Sequence, residues 1–138
     1  MATVSVKVVL PAKPIDVWPV ISDFGGVAKW APGVSQVSLV GRGVGAVRTV
    51  AYDDGTRSVE RLESLNDDSR SLSYSMLEST LPVQGYLGSL TVREAPLGSE
   101  VEWDSTFGAK GAAEKEVSEL LETRCRQALV GLQKFFRR

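Results

Sequence analysis

The sequence predicts an α+β fold in which an antiparallel sheet cups one long C-terminal helix, with two short helices after the first strand. Three observations carry this prediction. The N-terminus alternates apolar and polar residues with strand period, residues 34–107 are broken by turn signals at hairpin spacing, and the C-terminal stretch is amphipathic with helical period. A helix left to the end, after a twisted antiparallel sheet, needs a concave face to lie in, and the space between the two is where a small molecule would sit.

Val4, Val6, Val8 and Leu10 alternate with Ser5, Lys7 and Val9, the pattern of a strand with one buried face, which Pro11 ends. Pro14 suits the first turn of a helix, and Ile15, Val17, Trp18 and Ile21 supply an apolar face through Asp23. Pro19 removes the donor to the Ile15 carbonyl and should kink or shorten that helix. A second short helix, Val27 to Trp30, follows Gly25-Gly26 and closes at Pro32-Gly33. From Val34 to Phe107, turn signals at Gly41–Gly45, Asp53-Asp54-Gly55, Asn66-Asp67-Asp68, Leu81-Pro82 and Pro96-Leu97-Gly98 leave room for about six strands.

Asp53-Asp54-Gly55 reads as a three-residue hairpin loop with Gly55 in the left-handed conformation. That loop pairs Tyr52 with Thr56, Val50 with Ser58, Arg48 with Glu60 and Ala46 with Leu62. A two-residue loop would set Arg48 opposite Arg61, and directly opposed like charges are destabilising. The closing helix, about Ala112 to Phe136, carries Val117, Leu120, Leu121, Cys125, Ala128, Leu132 and Phe135 along one side. Glu114, Glu116 and Glu119 crowd its start and Lys134, Arg137 and Arg138 its end, as the helix dipole favours, and Glu122 and Arg126 form an exposed pair one turn apart.

Composition narrows the function. The 138 residues read as one domain, 1–138, with an ordinary 43% hydrophobic and 24% charged content. A net charge of -1 offers no general attraction for nucleic acid, so none is expected as a partner. The N-terminus lacks a basic flank followed by an apolar run, and no segment approaches the ~18 apolar residues of a membrane span, so a cytoplasmic protein without integral membrane association is expected. Histidine is absent, which removes imidazole bases, Ser-His and Cys-His pairs and histidine-ligated metals. Cys125 is the one cysteine, read as a small core residue, so no disulfide or multi-cysteine metal site forms within the chain. Gly41-Arg42-Gly43-Val44-Gly45 lacks the spacing and following helix of a phosphate-binding loop and reads as a turn into a strand. No metal or other cofactor is expected, and the chain is consistent with either a monomer or a dimer.

Strand alternation assembles a candidate site. Arg48, Val50 and Tyr52 share a face with Ser58, Glu60 and Leu62 across the hairpin, and the same face is continued by Leu72, Tyr74 and Met76, by Tyr86, Gly88 and Leu90, and by Val101, Trp103, Ser105 and Phe107. Apolar walls with a few placed polar groups describe a ligand pocket, and equally a core packed against the last helix. An inward-facing Arg48–Glu60 pair favours the pocket, because buried charge is costly unless paired. Trp18 and Trp30 read as packing residues of the short helices. The ring of Trp103 is placed either to stack on a ligand or to fill the core.

These residues carry a family resemblance. Val17-Trp18-Pro19-Val20-Ile21-Ser22-Asp23-Phe24, then Trp30 and Pro32, Gly43-Val44-Gly45-Ala46-Val47-Arg48, Glu60-Arg61-Leu62 with Asp67-Asp68, Leu81-Pro82-Val83 before Tyr86, and Leu132-Gln133-Lys134-Phe135 together resemble the START-like (SRPBCC) superfamily. The likeness is to its bacterial polyketide cyclase/dehydrase-like branch and, more distantly, to plant abscisic acid receptors, over essentially the whole chain. It implies a helix-grip fold: a seven-stranded antiparallel sheet wrapped around the C-terminal helix, with a cavity between. Members bind lipids, sterols, hormones and polyketides, and a minority catalyse cyclisation or dehydration. Matching the receptors places Ser58, Glu60, Tyr74, Met76 and Tyr86 at pocket-lining positions, with Arg48, Val50 and Tyr52 on the preceding strand. Hormone recognition is not carried over. Asp53-Asp54-Gly55 replaces the receptors' Ser-Gly-Leu-Pro-Ala gate and Leu81-Pro82-Val83 their His-Arg-Leu latch, while Ala31 and Gly131 stand where a lysine and an asparagine would fall. The two loops are expected to flank the cavity mouth.

The expected ligand-binding set is therefore Arg48, Val50, Tyr52, Ser58, Glu60, Tyr74, Met76, Tyr86 and Trp103, and the expected partner a small hydrophobic or amphipathic molecule held by a carrier or sensor. The alternative is a cyclase or dehydratase using the same cavity. Without histidine, Glu60 is then its candidate acid or base, with Tyr74, Tyr86 or Arg48 steering a carbonyl oxygen. Burial would favour the neutral acid at such a residue and the nearby cation its carboxylate, so the two act against each other. A third possibility, a protein-interaction domain, predicts a filled interior.

Overall fold

In the computed structural model, which describes residues 1–137, the chain runs β1 (Ala2–Leu10), α1 (Pro14–Ser22), a 3-10 helix (Phe24–Lys29), β2 (Val34–Val40), β3 (Val47–Tyr52), β4 (Arg57–Asn66), β5 (Ser71–Ser79), β6 (Val83–Ala95), β7 (Gly98–Ala109) and α2 (Glu114–Phe136). The strands form one antiparallel sheet in the order β1-β7-β6-β5-β4-β3-β2, so β1 crosses to pair with β7 and every later strand lies beside its sequence neighbour. With α2 against the sheet, this is the helix-grip arrangement.

Val4, Val6 and Leu10 of β1 are buried beneath α2, as the alternation requires. The first helix continues past Pro19 to Ser22, and its buried side chains are Pro14, Val17, Trp18 and Ile21. Ile15 points out, 68% exposed, because a helix of this length turns one narrow stripe inward and Pro14 fills the place that Ile15 was expected to take. The second short helix starts at Phe24 rather than Val27 and is 3-10, which buries Phe24 with Val27. Trp18 Nε1 donates to Asp67 Oδ1 at 2.8 Å, tying α1 to the β4–β5 turn.

Val117, Leu121, Cys125, Leu129 and Leu132 form the buried stripe of α2. Leu120, expected on that stripe, is 38% exposed, whereas Leu129 is fully buried. Successive steps of four residues drift the stripe around the helix, past Leu120 and onto Leu129. Arg138, expected to help cap the helix dipole, lies outside the described residues. Gly131 is fixed by a close approach: a Cβ there would collide with the Trp30 carbonyl oxygen and the Pro32 ring. An interior helix glycine costs about 1 kcal/mol against alanine, and here it lets α2 lie directly on the segment leaving the 3-10 helix. No described helix is long and apolar enough to cross a membrane.

Along its length α2 approaches β1 and β7 closely. Arg48, Val50, Ser58, Glu60, Tyr74 and Met76 of β3–β5 face it across the interior space described next.

Candidate functional site

The β3–β4 hairpin takes the expected register, with Arg48 opposite Glu60, Val50 opposite Ser58 and Tyr52 N donating to Thr56 O at 2.9 Å. Gly55 has φ +88°, the conformation the three-residue loop demands. Arg48, Ser58 and Glu60 are consequently all turned into the protein and buried.

Two bulges between β4 and β5 hold neighbouring side chains on the same face. Leu77 is the extra residue between the pairs Val59–Glu78 and Glu60–Met76, and Glu63 the extra residue between Leu62–Tyr74 and Ser64–Ser73. On the far side a bulge between Gln84 and Leu87, with Gly85 at φ +58°, leaves Tyr86 outside the ladder and buried.

These elements and α2 enclose a cavity of about 240 Å³. All nine residues expected from the sequence line it: Arg48, Val50, Tyr52, Ser58, Glu60, Tyr74, Met76, Tyr86 and Trp103. The interior is therefore not filled. Asp53, Asp54 and Leu81 also reach it, so both loops expected at the mouth are there.

At the base, Arg48 Nε donates to Glu60 Oε1 at 2.8 Å and Arg48 Nη1 to the Phe24 carbonyl at 3.0 Å. Ser58 Oγ donates to the other carboxylate oxygen, Oε2, at 2.8 Å. The guanidinium also stacks over Phe24, 3.9 Å from its ring centroid, with the Tyr74 ring at 5.2 Å. This ion pair is nearly dry, its side chains 9% and 6% exposed.

One wall is a chain of hydroxyls. Trp103 Nε1 donates to Tyr74 OH at 3.1 Å, and Tyr74 OH, Tyr86 OH and Ser105 Oγ follow at 2.9 and 2.8 Å. The indole has no acceptor, so Tyr74 accepts from Trp103 and keeps its own proton to donate. Burial, reinforced by neighbouring Tyr86 and Glu60, pushes the Tyr74 phenol well up, and burial does the same to Tyr86. Burial pushes the Cys125 thiol up to about 12, against a lowering contribution from Ser105. The phenols and the thiol are thus uncharged at neutral pH. Gly88 makes room for the wall: a Cβ there would stand 2.6 Å from Tyr74 Cζ and 2.7 Å from its OH. Trp30 packs edge-on against Trp103, and its Nε1 is buried without a partner among the described residues.

At the mouth, Arg124 of α2 reaches the hairpin loop. Its Nη1 donates to Asp54 Oδ2 at 3.2 Å and its Nη2 to Thr56 Oγ1 at 3.0 Å, while its guanidinium lies 4.4 Å from the Tyr52 ring centroid. Hydrogen bonds from the Thr56 hydroxyl and amide hold the Asp54 carboxyl down at about 2. Arg124 was missed in the sequence. Its one signal is position: it directly precedes Cys125, at the edge of the apolar stripe.

A family model described as polyketide cyclase / dehydrase and lipid transport matches residues 1–136. The chain is similar to the protein XoxI from Bacillus cereus, with TM-score 0.91 and 31% identity over 99% of this chain and 96% of that one. It is similar to a protein from Bacillus thuringiensis, with TM-score 0.91 and 30% identity over 98% of both chains. A protein from Nitrosospira multiformis aligns with TM-score 0.82 and 26% identity over 99% of this chain and 97% of its own. None of the curated proteins compared with the sequence matches it.

Proposed function

The chain belongs to the polyketide cyclase/dehydrase and lipid transport family of the START-like superfamily, and on that footing we propose that it binds a small hydrophobic or amphipathic molecule between sheet and helix, as a carrier or sensor. The observation that carries this reading is the cavity: about 240 Å³, walled by Val50, Met76, Leu121 and aromatic rings, with its polar groups gathered at Arg48, Ser58, Glu60 and Tyr74. Such a site holds the apolar body of a ligand by burial and orients one polar end by hydrogen bonds. The volume falls somewhat below the ~300–1,000 Å³ of drug-sized pockets, which favours a compact ring system over a long acyl chain.

A cyclase or dehydratase reading asks Glu60 to exchange a proton with the ligand. Both of its oxygens are already held at 2.8 Å, by Arg48 and by Ser58, so turnover would first have to break one of these bonds. Binding alone requires no such rearrangement.

The test is native mass spectrometry of gently purified protein, followed by denaturation and mass analysis of what is released. Stoichiometric release of a defined small molecule is expected from the wild type and not from Ala128→Trp, which fills the cavity from α2. Equal recovery of that molecule from the filled variant would refute the site.

A further inference from the structure

Resting on the binding reading above, we infer that the cavity takes an uncharged ligand bearing a carbonyl or hydroxyl oxygen, and that the Arg48–Glu60 pair is the device that rejects charged ones. The pair cancels its own charge inside the protein. The carboxylate has no oxygen free of a protein donor, since Oε1 takes Arg48 Nε and Oε2 takes Ser58 Oγ. The guanidinium is partly used: Nε–H and one N–H of Nη1 are engaged, and Phe24 and Tyr74 rings lie over it. Its Nη2 makes no hydrogen bond to the described residues. What the base of the cavity offers a ligand is therefore the Nη2 amino group as donor on a neutralised cation, beside the Tyr74 hydroxyl. A ligand oxygen matches that donor without bringing a charge.

A ligand carboxylate fares worse on two counts. It must give up its hydration to reach a guanidinium whose charge is already met by Glu60, and it arrives beside that second carboxylate. The other charged residues lining the cavity do not help it, because Arg124 is matched by Asp54 and Asp53 adds a further negative charge at the mouth. An ammonium ligand would face Arg48 at the base.

Three probes of one shape separate these cases: naphthol, naphthoate and naphthylmethylammonium, titrated at pH 7 against the full chain and followed by tryptophan fluorescence and calorimetry. Naphthol is expected to bind, with each ion weaker by at least about tenfold, a modest allowance for stripping an ion of water without a free counter-charge. Glu60→Gln keeps the shape and removes the guanidinium's counter-charge, so naphthoate should tighten by at least about tenfold and overtake naphthol. Naphthoate binding the wild type as tightly as naphthol, or failing to tighten in Glu60→Gln, overturns the charge filter and leaves the binding reading standing. Failure of all three probes to bind folded wild type overturns the binding reading itself. Should Glu60→Gln not fold, the wild-type ranking of the three probes decides alone.

Discussion

Replacing Arg48 by Met and Glu60 by Leu, singly and together, measures how strongly the buried pair is coupled. Arg48→Met leaves a carboxylate, about 6% exposed, with Ser58 as its remaining hydrogen-bond donor. Glu60→Leu leaves a guanidinium, about 9% exposed, with the Phe24 carbonyl and two ring faces. Both groups are too dry for solvent to screen the loss, so each single change should cost about 3–5 kcal/mol. The double variant removes both charges and fills their place with apolar groups of similar volume, a replacement that ranges from neutral to stabilising by about 1–4 kcal/mol. Allowing about 2 kcal/mol for imperfect packing, two singles at about 3 kcal/mol each set against the double give a coupling of about 4 kcal/mol. Urea denaturation at pH 7 measures all four stabilities, with an unchanged slope as the check that the unfolding reaction is the same. By melting temperature the singles should fall by roughly 10 °C and the double by far less. Additive losses, with the double near the sum of the singles, would refute the reasoning.

Three further outcomes are expected. Gly88→Ala forces a methyl to within 2.6 Å of Tyr74 Cζ, so the ring must move and its bond to Tyr86 must break. A loss of about 2–4 kcal/mol with an altered near-ultraviolet circular dichroism spectrum is expected, and an unchanged spectrum would contradict the contact. Cys125, its thiol held up at about 12 by burial, should resist a thiol-specific disulfide reagent at pH 8 until denaturant is added, whereas prompt labelling of the folded protein would contradict the raised thiol. The Asp54 carboxyl should titrate near 2, and Thr56→Val, which removes the hydroxyl donor that lowers it most, should raise the midpoint toward the ordinary 3.8, as carboxyl NMR would read. Because its folded value is depressed, the stability Asp54 contributes is complete above about 3.8 and lost as the pH falls to about 2, and in the variant that window narrows.

The inward face of the sheet was legible because strand alternation has a period of two and because one turn fixes a register. Asp53-Asp54-Gly55 set Arg48 against Glu60, and electrostatics removed the competing register that opposed Arg48 to Arg61. From there Ser58, Tyr74, Tyr86 and Trp103 followed by counting. The bulges at Glu63 and Leu77 did not, since an inserted residue leaves no mark in an alternating pattern that mixes serines with leucines. On α2, steps of three and four residues both satisfy an amphipathic pattern, so the sequence admitted Leu120 and passed over Leu129; the direction in which the stripe drifts depends on the surface it meets. Arg124 was hidden for a related reason. A charged residue bordering an apolar stripe reads as solvent-facing, and only the approach of the β3–β4 loop gives it Asp54 and Thr56 as partners. Ile15 was misplaced because Pro14 was read for its backbone preference alone, when its ring also fills the interface.

The same geometry explains why a space survives at all. Gly131 lets α2 press against the Trp30 carbonyl and Pro32, and the helix approaches β1 and β7, so it is fixed along one half of the sheet. Where it borders the cavity its side chains include the small Cys125 and Ala128. A chain shaped by stability alone would close that gap with larger apolar residues and would dispense with the Arg48–Glu60 pair, since apolar groups of equal volume serve a dry interior as well or better. This chain does neither at the one place where a ligand would be oriented. Stability and recognition therefore pull on Arg48 and Glu60 in opposite directions: the doubly apolar variant should keep far more stability than either single variant and lose the donor that a ligand oxygen would meet.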